Sequence, residues 1–172
     1  SMYDVDVTKL WELREKEKIK AGKKGIKLTF FPYIIKAVIG GLKKHPYLNS
    51  SLTEDEIIIK KYYNVGIAVD SERGLIVPVI KRAEIKDLYQ LAKEIVDLSD
   101  KVSKRNIDMM DLQGGSFTIT NYGSIGGTYG TPIINPPEAA ILGLGRIFDR
   151  AVFIDGKVLN RKILPLSLTF DH

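Results

Sequence analysis

The chain reads as an α/β domain, a two-layer sandwich in which flanking helices pack on a mixed β-sheet. Two observations carry this reading. Apolar residues recur at helical spacing in two segments, Phe31 to Leu42 and Leu88 to Val102, while short β-branched runs lie between and after them. The order matters as much as the content, because helices placed before and between many strands belong to a layered sandwich. At 172 residues and 44% hydrophobic, residues 1–172 fit a single domain that can bury a core without metal or disulfide.

Taken in order, Thr8 to Arg14 open a polar helix that Asp6 or Thr8 could cap, and Gly22 and Gly25 close it. Phe31, Ile34, Ile35, Val38 and Leu42 mark a core helix behind Pro32, which suits a first turn. That helix ends at His45-Pro46, since a residue before proline is pushed out of the helical region. After a polar loop, Ser50 to Asp55, come three strand candidates: Ile57 to Ile59, Val65 to Val69 and Leu75 to Ile80. Asp70-Ser71-Glu72-Arg73-Gly74 between the last two reads as a hairpin turn. Leu88, Leu91, Ala92, Ile95 and Val102 share one side of a further amphipathic helix. Asp108 to Gly115 then lead into the strand Ser116 to Thr120. A glycine-rich loop follows, then the run Ala139 to Leu144, and then a hairpin with Asp155-Gly156 as a type I′ turn. Ile163 to Phe170 alternate poorly, as a buried strand does.

Composition excludes several chemistries. Cysteine is absent, which removes disulfides, thiolate catalysis and cysteine-bound zinc, and His45 and His172 are the two imidazoles in the chain. No metal is expected. No run approaches the roughly 20 apolar residues of a membrane helix, and residues 1–4 do not resemble a signal peptide, so the expected location is the cytoplasm or an organelle matrix. The net charge of +5 reflects 26 basic against 21 acidic residues, with many of the lysines between 16 and 27. Such a run is ordinarily a solvated helix face. Without interleaved aromatics or a recognition motif it does not point to nucleic acid, though it suits a phosphorylated small ligand.

Chemistry concentrates in two places. Thr118 to Gly130 set hydroxyls at a strand end against a glycine-dense loop, which fits either a cradle of backbone N–H groups or a tight structural turn. It is not a phosphate-binding Walker loop, since no Gly-Lys-Ser or Gly-Lys-Thr closes it. Asp171-His172 follow an apolar strand, and His172 reads either as a structural residue or as a general base beside an oxyanion donor. His45 fits a helix end, where a cation suits the dipole.

The run Gly114 to Tyr129, with Pro132, Asn135-Pro136-Pro137-Glu138-Ala139-Ala140-Ile141-Leu142-Gly143 and Asp171-His172, closely resembles the dihydrolipoamide acyltransferase family of 2-oxo acid dehydrogenase complexes. Asp6-Val7-Thr8, Lys27 to Pro32, Pro46 to Asn49, Asn64 to Asp70 and Gly74 to Val79 extend the likeness over nearly the whole chain. It implies a fold like that of chloramphenicol acetyltransferase and transfer of an acyl group between dihydrolipoamide and coenzyme A thiols. It also implies a homotrimer with its site between subunits, a higher-order shell, and as partners the dehydrogenase components and a separate lipoyl-bearing domain. His172 matches the family's general base and Thr120 its oxyanion-stabilising hydroxyl. Coenzyme A contacts would fall on Arg14, Thr29, Asp70, Ser99, Thr120, Asn121, Gly145 and Ile147. Five of these have a plainer reading beside this one: Arg14 a solvated charge, Ser99 a neutral surface position, Gly145 and Ile147 strand-end packing, Asp70 the start of a hairpin.

The family signature reads Asp-His-Arg-x-x-Asp-Gly, whereas this sequence stops at Asp171-His172, and its front lacks the basic helix that usually precedes Asp6-Val7-Thr8. The expectation is a catalytic core truncated at both ends, poorly active until the sequence past His172 is restored. Two alternatives stay open: a self-assembling structural core, and a coenzyme A-dependent acyltransferase that does not use lipoyl groups. Against the second stands the lack of a His-His-x-x-x-Asp signature. Acetyl, succinyl and branched acyl groups are all compatible with the sequence.

Overall fold

A computed structural model describes residues 1–72 and 74–172, so the Arg73 position of the expected hairpin turn lies outside the described residues. Strand β1 (Met2–Asp6) precedes helix α1 (Thr8–Lys23), and helix α2 (Phe31–Lys44) follows. The N-cap of α1 falls on Val7, whose side chain has no acceptor; the Asp6 carboxylate, one residue earlier, accepts from the Thr8 N–H at 2.9 Å and the Thr8 hydroxyl at 2.6 Å. Gly22 stays inside the helix, and the left-handed residue after it is Gly25, at φ 70°. Helix α2 ends at Lys44, just before His45-Pro46, as the proline requires.

A two-stranded ribbon, β2 (Ser50–Leu52) and β3 (Ile57–Ile59), follows a short 3₁₀ turn. Next come β4 (Val65–Ile67), β5 (Val69–Ser71), β6 (Gly74–Ile76) and β7 (Val79–Ile80). Val65 pairs with Ile80, Gly66 with Val79 and Val69 with Ile76, so the expected hairpin keeps one register throughout. It is interrupted at its middle, where the Ala68 N–H donates to Ile119 and Pro78 has no N–H to give.

Helix α3 (Leu88–Ser103) starts at a capping box in which Asp87 and Gln90 exchange side-chain bonds with each other's backbone, both at 2.8 Å. A single helical turn, α4 (Met109–Leu112), leads to β8 (Phe117–Asn121). The remaining strands are β9 (Ala140–Leu144), β10 (Phe148–Ile154) and β11 (Lys157–Phe170). Asp155 and Gly156 both have positive φ, as a type I′ turn between β10 and β11 demands.

The main sheet runs β1-β11-β9-β8-β4-β7, with β10 also on β11. Its β4–β8 and β8–β9 pairs are parallel and the others antiparallel, so the sheet is mixed as expected. Ile34, Ile35, Ile39 and Leu42 of α2 and Leu91 and Leu98 of α3 pack on Val65, Ile67, Ile119, Ala140, Leu144 and Leu164 of the sheet. Ile35, Val65, Ile80, Leu91 and Ile119 are fully excluded from solvent, each stabilising the fold by about 1.5–3 kcal/mol of transfer free energy.

Candidate active site

Side chains alternate along β8, and this sorts the expected site residues onto two faces. Ile119 belongs to the helix-facing core, and Asn121, two residues on, shares its side. Thr118 and Thr120 point the other way. There a Cβ on Gly66, the cross-strand partner of Thr118, would come within 2.8 Å of the Thr118 hydroxyl. Tyr122 lies on that face too, over Gly143, where a Cβ would meet its ring at 2.6 Å. The Tyr122 hydroxyl donates to the Ser167 hydroxyl at 2.8 Å, and the Gly130 N–H donates to the same oxygen at 3.3 Å, folding the glycine loop back over the sheet.

That loop meets the end of β9 backbone to backbone. A Cβ at Gly123 would stand 2.4 Å from the Gly145 carbonyl, and one at Gly145 would stand 2.0 Å from the Thr128 carbonyl oxygen. The Arg146 N–H donates to Gly127 at 2.8 Å and closes the contact. The tight structural turn is what the glycine density realises: close packing requires Gly123 and Gly145, and the packed segments form one wall of a cleft.

The cleft, about 690 Å³, gathers Thr29, Ser99, Asn121, Gly145 and Ile147 from four separate parts of the chain. Trp11, Phe30 and Phe31 supply an aromatic wall, with the Trp11 and Phe30 rings 5.1 Å apart. Lys27 and Arg146 also line it. Sequence reasoning did not assign these two cations, although Lys27 closes the lysine-rich run and Arg146 adjoins Gly145. Arg14 stands behind the aromatic wall: its Nε donates to the Leu28 carbonyl at 3.1 Å and its guanidinium lies 5.1 Å from the Phe30 ring centre. Asp70 lines a neighbouring cavity of about 490 Å³ with Ile76, Ile107 and, one turn beyond Ser99 on α3, Val102 and Ser103.

His172 lies elsewhere. It lines a third cavity, about 570 Å³, with Tyr47, Leu52, Ile57, Pro136 and Pro137, and its ring sits 6.2 Å from that of Phe170. Thr120 pairs with Gly143 while Phe170 pairs with Ala140, so five strand positions, roughly 16 Å at ~3.3 Å each, separate Thr120 from the level of His172. His172 and Thr120 do not meet within one chain. His45 is the C-cap of α2 and lies in none of these cavities. Among the described residues no three His, Asp or Glu side chains cluster as metal ligands would, and no helix is long and apolar enough to cross a membrane.

The whole chain matches the family model described as 2-oxoacid dehydrogenases acyltransferase (catalytic domain), over residues 1–172. It is 46% identical over 173 aligned positions to the dihydrolipoyllysine-residue acetyltransferase component of the pyruvate dehydrogenase complex of Staphylococcus aureus. That match covers 99% of this chain and 40% of the relative, so the chain spans about two fifths of its length. Among solved structures, the Azotobacter vinelandii dihydrolipoamide acetyltransferase superposes with a TM-score of 0.95 at 43% identity, over 100% of this chain and 72% of that one. Chloramphenicol acetyltransferase superposes at 0.55 with 16% identity, over 97% of this chain and 75% of that one, a likeness of fold alone. By family model, sequence identity and fold together, the chain belongs to the catalytic domains of the 2-oxoacid dehydrogenase acyltransferases.

Proposed function

We propose that this domain transfers an acyl group, acetyl as in its named relatives, between the thiols of dihydrolipoamide and coenzyme A. The observation that carries the reading is the convergence of Thr29, Ser99, Asn121, Gly145 and Ile147 on one cleft bordered by the cations Lys27 and Arg146. A pantetheine arm suits a cleft walled by Trp11, Phe30 and Phe31, and the two cations suit the phosphates of coenzyme A.

The chemistry follows from two groups. The His172 imidazole takes the proton of the attacking thiol, and the sulfur adds to the thioester carbonyl carbon. The Thr120 hydroxyl donates a hydrogen bond to the oxyanion so formed. Collapse of the tetrahedral intermediate breaks the other carbon–sulfur bond, and the imidazolium returns the proton to the departing sulfur. In the Azotobacter protein a serine and a histidine studied for their role in the catalytic mechanism lie the same number of residues apart as Thr120 and His172.

Because Thr120 and His172 are separated within one chain, the working site pairs His172 of one copy with Thr120 of a neighbour. A surface suited to such a neighbour surrounds His172: Tyr47 and Leu52 are each 66% exposed and Ile57 is 58% exposed, while Ile58 and Ile59 extend the apolar patch. A trimer closes this head-to-tail contact, and a lipoyl group on a separate domain brings the second thiol. Trimers would in turn build a larger shell; a cubic core is the form of one solved pyruvate dehydrogenase complex. The test is thiol-dependent acyl exchange with acetyl-coenzyme A and dihydrolipoamide on the assembled protein. Turnover lost in His172→Ala is expected, and equal turnover in that variant overturns the reading.

A further inference from the structure

Glu138 is 7% exposed, closes the Asn135-Pro136-Pro137-Glu138 turn, and has no place in the chemistry above. Its N–H donates to the Asn135 carbonyl at 3.0 Å. The carboxyl lies against Gly115 so closely that a Cβ there would stand 2.6 Å from Oε1. Only a residue without a side chain allows this approach. The half-buried Lys60, whose Nζ donates to the Gly115 carbonyl at 3.4 Å, supplies the nearest positive charge. Burial pushes the Glu138 carboxyl above the usual glutamate range, while Thr118, Lys60 and Asn135 pull the other way. Burial likewise pushes the Lys60 ammonium down, with Glu138 opposing. The Thr118 hydroxyl stands near enough to favour the ionised form, yet neither it nor Glu138 Oε2 completes a hydrogen bond among the described residues.

A buried carboxyl with an oxygen left over lowers stability relative to an apolar filler. Its place in the fold supplies a reason for it. Ala139, the next residue, accepts the Asp171 N–H at 2.9 Å, and Asp171 is bonded directly to His172. Pro136, Pro137, Glu138 and Ala139 form one side of the cavity that His172 lines. On its other side the carboxyl faces Thr118, which shares a face of β8 with Thr120 two residues on.

We propose that Glu138 is a positioning residue for acyl transfer: wedged between Gly115, Thr118 and Lys60, it fixes the 135–139 turn that holds the chain bearing His172. The role rests on the acyl-transfer reading. Removing the wedge loosens the base without touching the coenzyme A cleft, so the loss falls on kcat and leaves KM alone.

The experiment compares Glu138→Ala, Glu138→Gln, Gly115→Ala and His172→Ala in the full natural chain, each checked for assembly size and melting temperature. Glu138→Ala is expected to lower kcat about 10–100-fold with both thiol KM values within about threefold. Gly115→Ala, which displaces the carboxyl without deleting it, is expected to show the same split. Glu138→Gln keeps the shape and is expected to recover most of the loss. An assembled Glu138→Ala or Gly115→Ala with unchanged kcat, a loss carried by KM, or a glutamine variant as slow as the alanine one overturns the positioning role. An active His172→Ala instead overturns the acyl-transfer reading itself, whereas an inactive one beside a fully active Glu138→Ala overturns positioning alone.

Discussion

Thr120 sits at the end of a buried strand with its hydroxyl on the face away from the helices, while its neighbour Asn121 reaches the cleft. One residue step therefore puts the two side chains on opposite faces of the sheet. On the proposed mechanism Thr120→Ala removes an oxyanion donor and no cleft-lining side chain, so turnover should fall by about 10²–10³, the cost typical of one such donor. Coenzyme A affinity, measured by calorimetry, should stay within a few-fold. A variant that turns over at the parent rate would take Thr120 out of the mechanism.

At the scale of elements, the cleft depends on how α3 begins and how the glycine loop packs. Asp87 and Gln90 satisfy backbone groups at the start of the helix that carries Ser99, and Asp87→Ala should destabilise the domain by about 1 kcal/mol. In a chain of this size that lowers the melting temperature by about 2–4 °C in calorimetry. Gly145→Ala should do more. Its Cβ would fall 2.0 Å from a backbone oxygen and 2.9 Å from Pro165 Cβ, and neither atom is the end of a flexible side chain. Overpacking of this kind costs about 1–3 kcal/mol, and it should also weaken coenzyme A binding, because the displaced loop is a wall of the cleft. Urea unfolding and binding measured together check both; normal affinity in a destabilised variant would detach the loop from the site.

For the molecule as a whole, the separation of Thr120 from His172 predicts complementation between inactive chains. When Thr120→Ala and His172→Ala subunits are co-expressed in equal amounts, about a quarter of the interfaces in a ring unite an intact base with an intact hydroxyl. Activity near a quarter of the parent is expected, and none at all would argue that both groups act from one chain. Charge acts at this scale too. Lys27 and Arg146 border the cleft on a chain of net charge +5, so coenzyme A affinity should fall as salt rises. Salt-independent calorimetric binding would remove the electrostatic part.

Local periodicity and turn chemistry made much of the fold legible from sequence. The apolar stripe of α2 and its stop before Pro46, the amphipathic α3, the strand at 117–121 and the Asp155-Gly156 turn follow from side-chain spacing and from residues whose φ angles are restricted or permissive. The motif from Gly114 onward singled out Thr120, Asn121 and His172 by resemblance. Strand β1 left no signal, because it is short, exposed and held chiefly by pairing with β11, a partner some 160 residues distant. Only the tertiary structure set Thr120 and His172 on different parts of the molecule, since register across β8, β9 and β11 is a relation among strands that no single one encodes. It alone placed Lys27 and Arg146 beside residues far from them in sequence, and set the Glu138 carboxyl against Gly115. Spacing along a chain determines which face a side chain takes within its own element; which distant group meets that face is decided when the elements pack together.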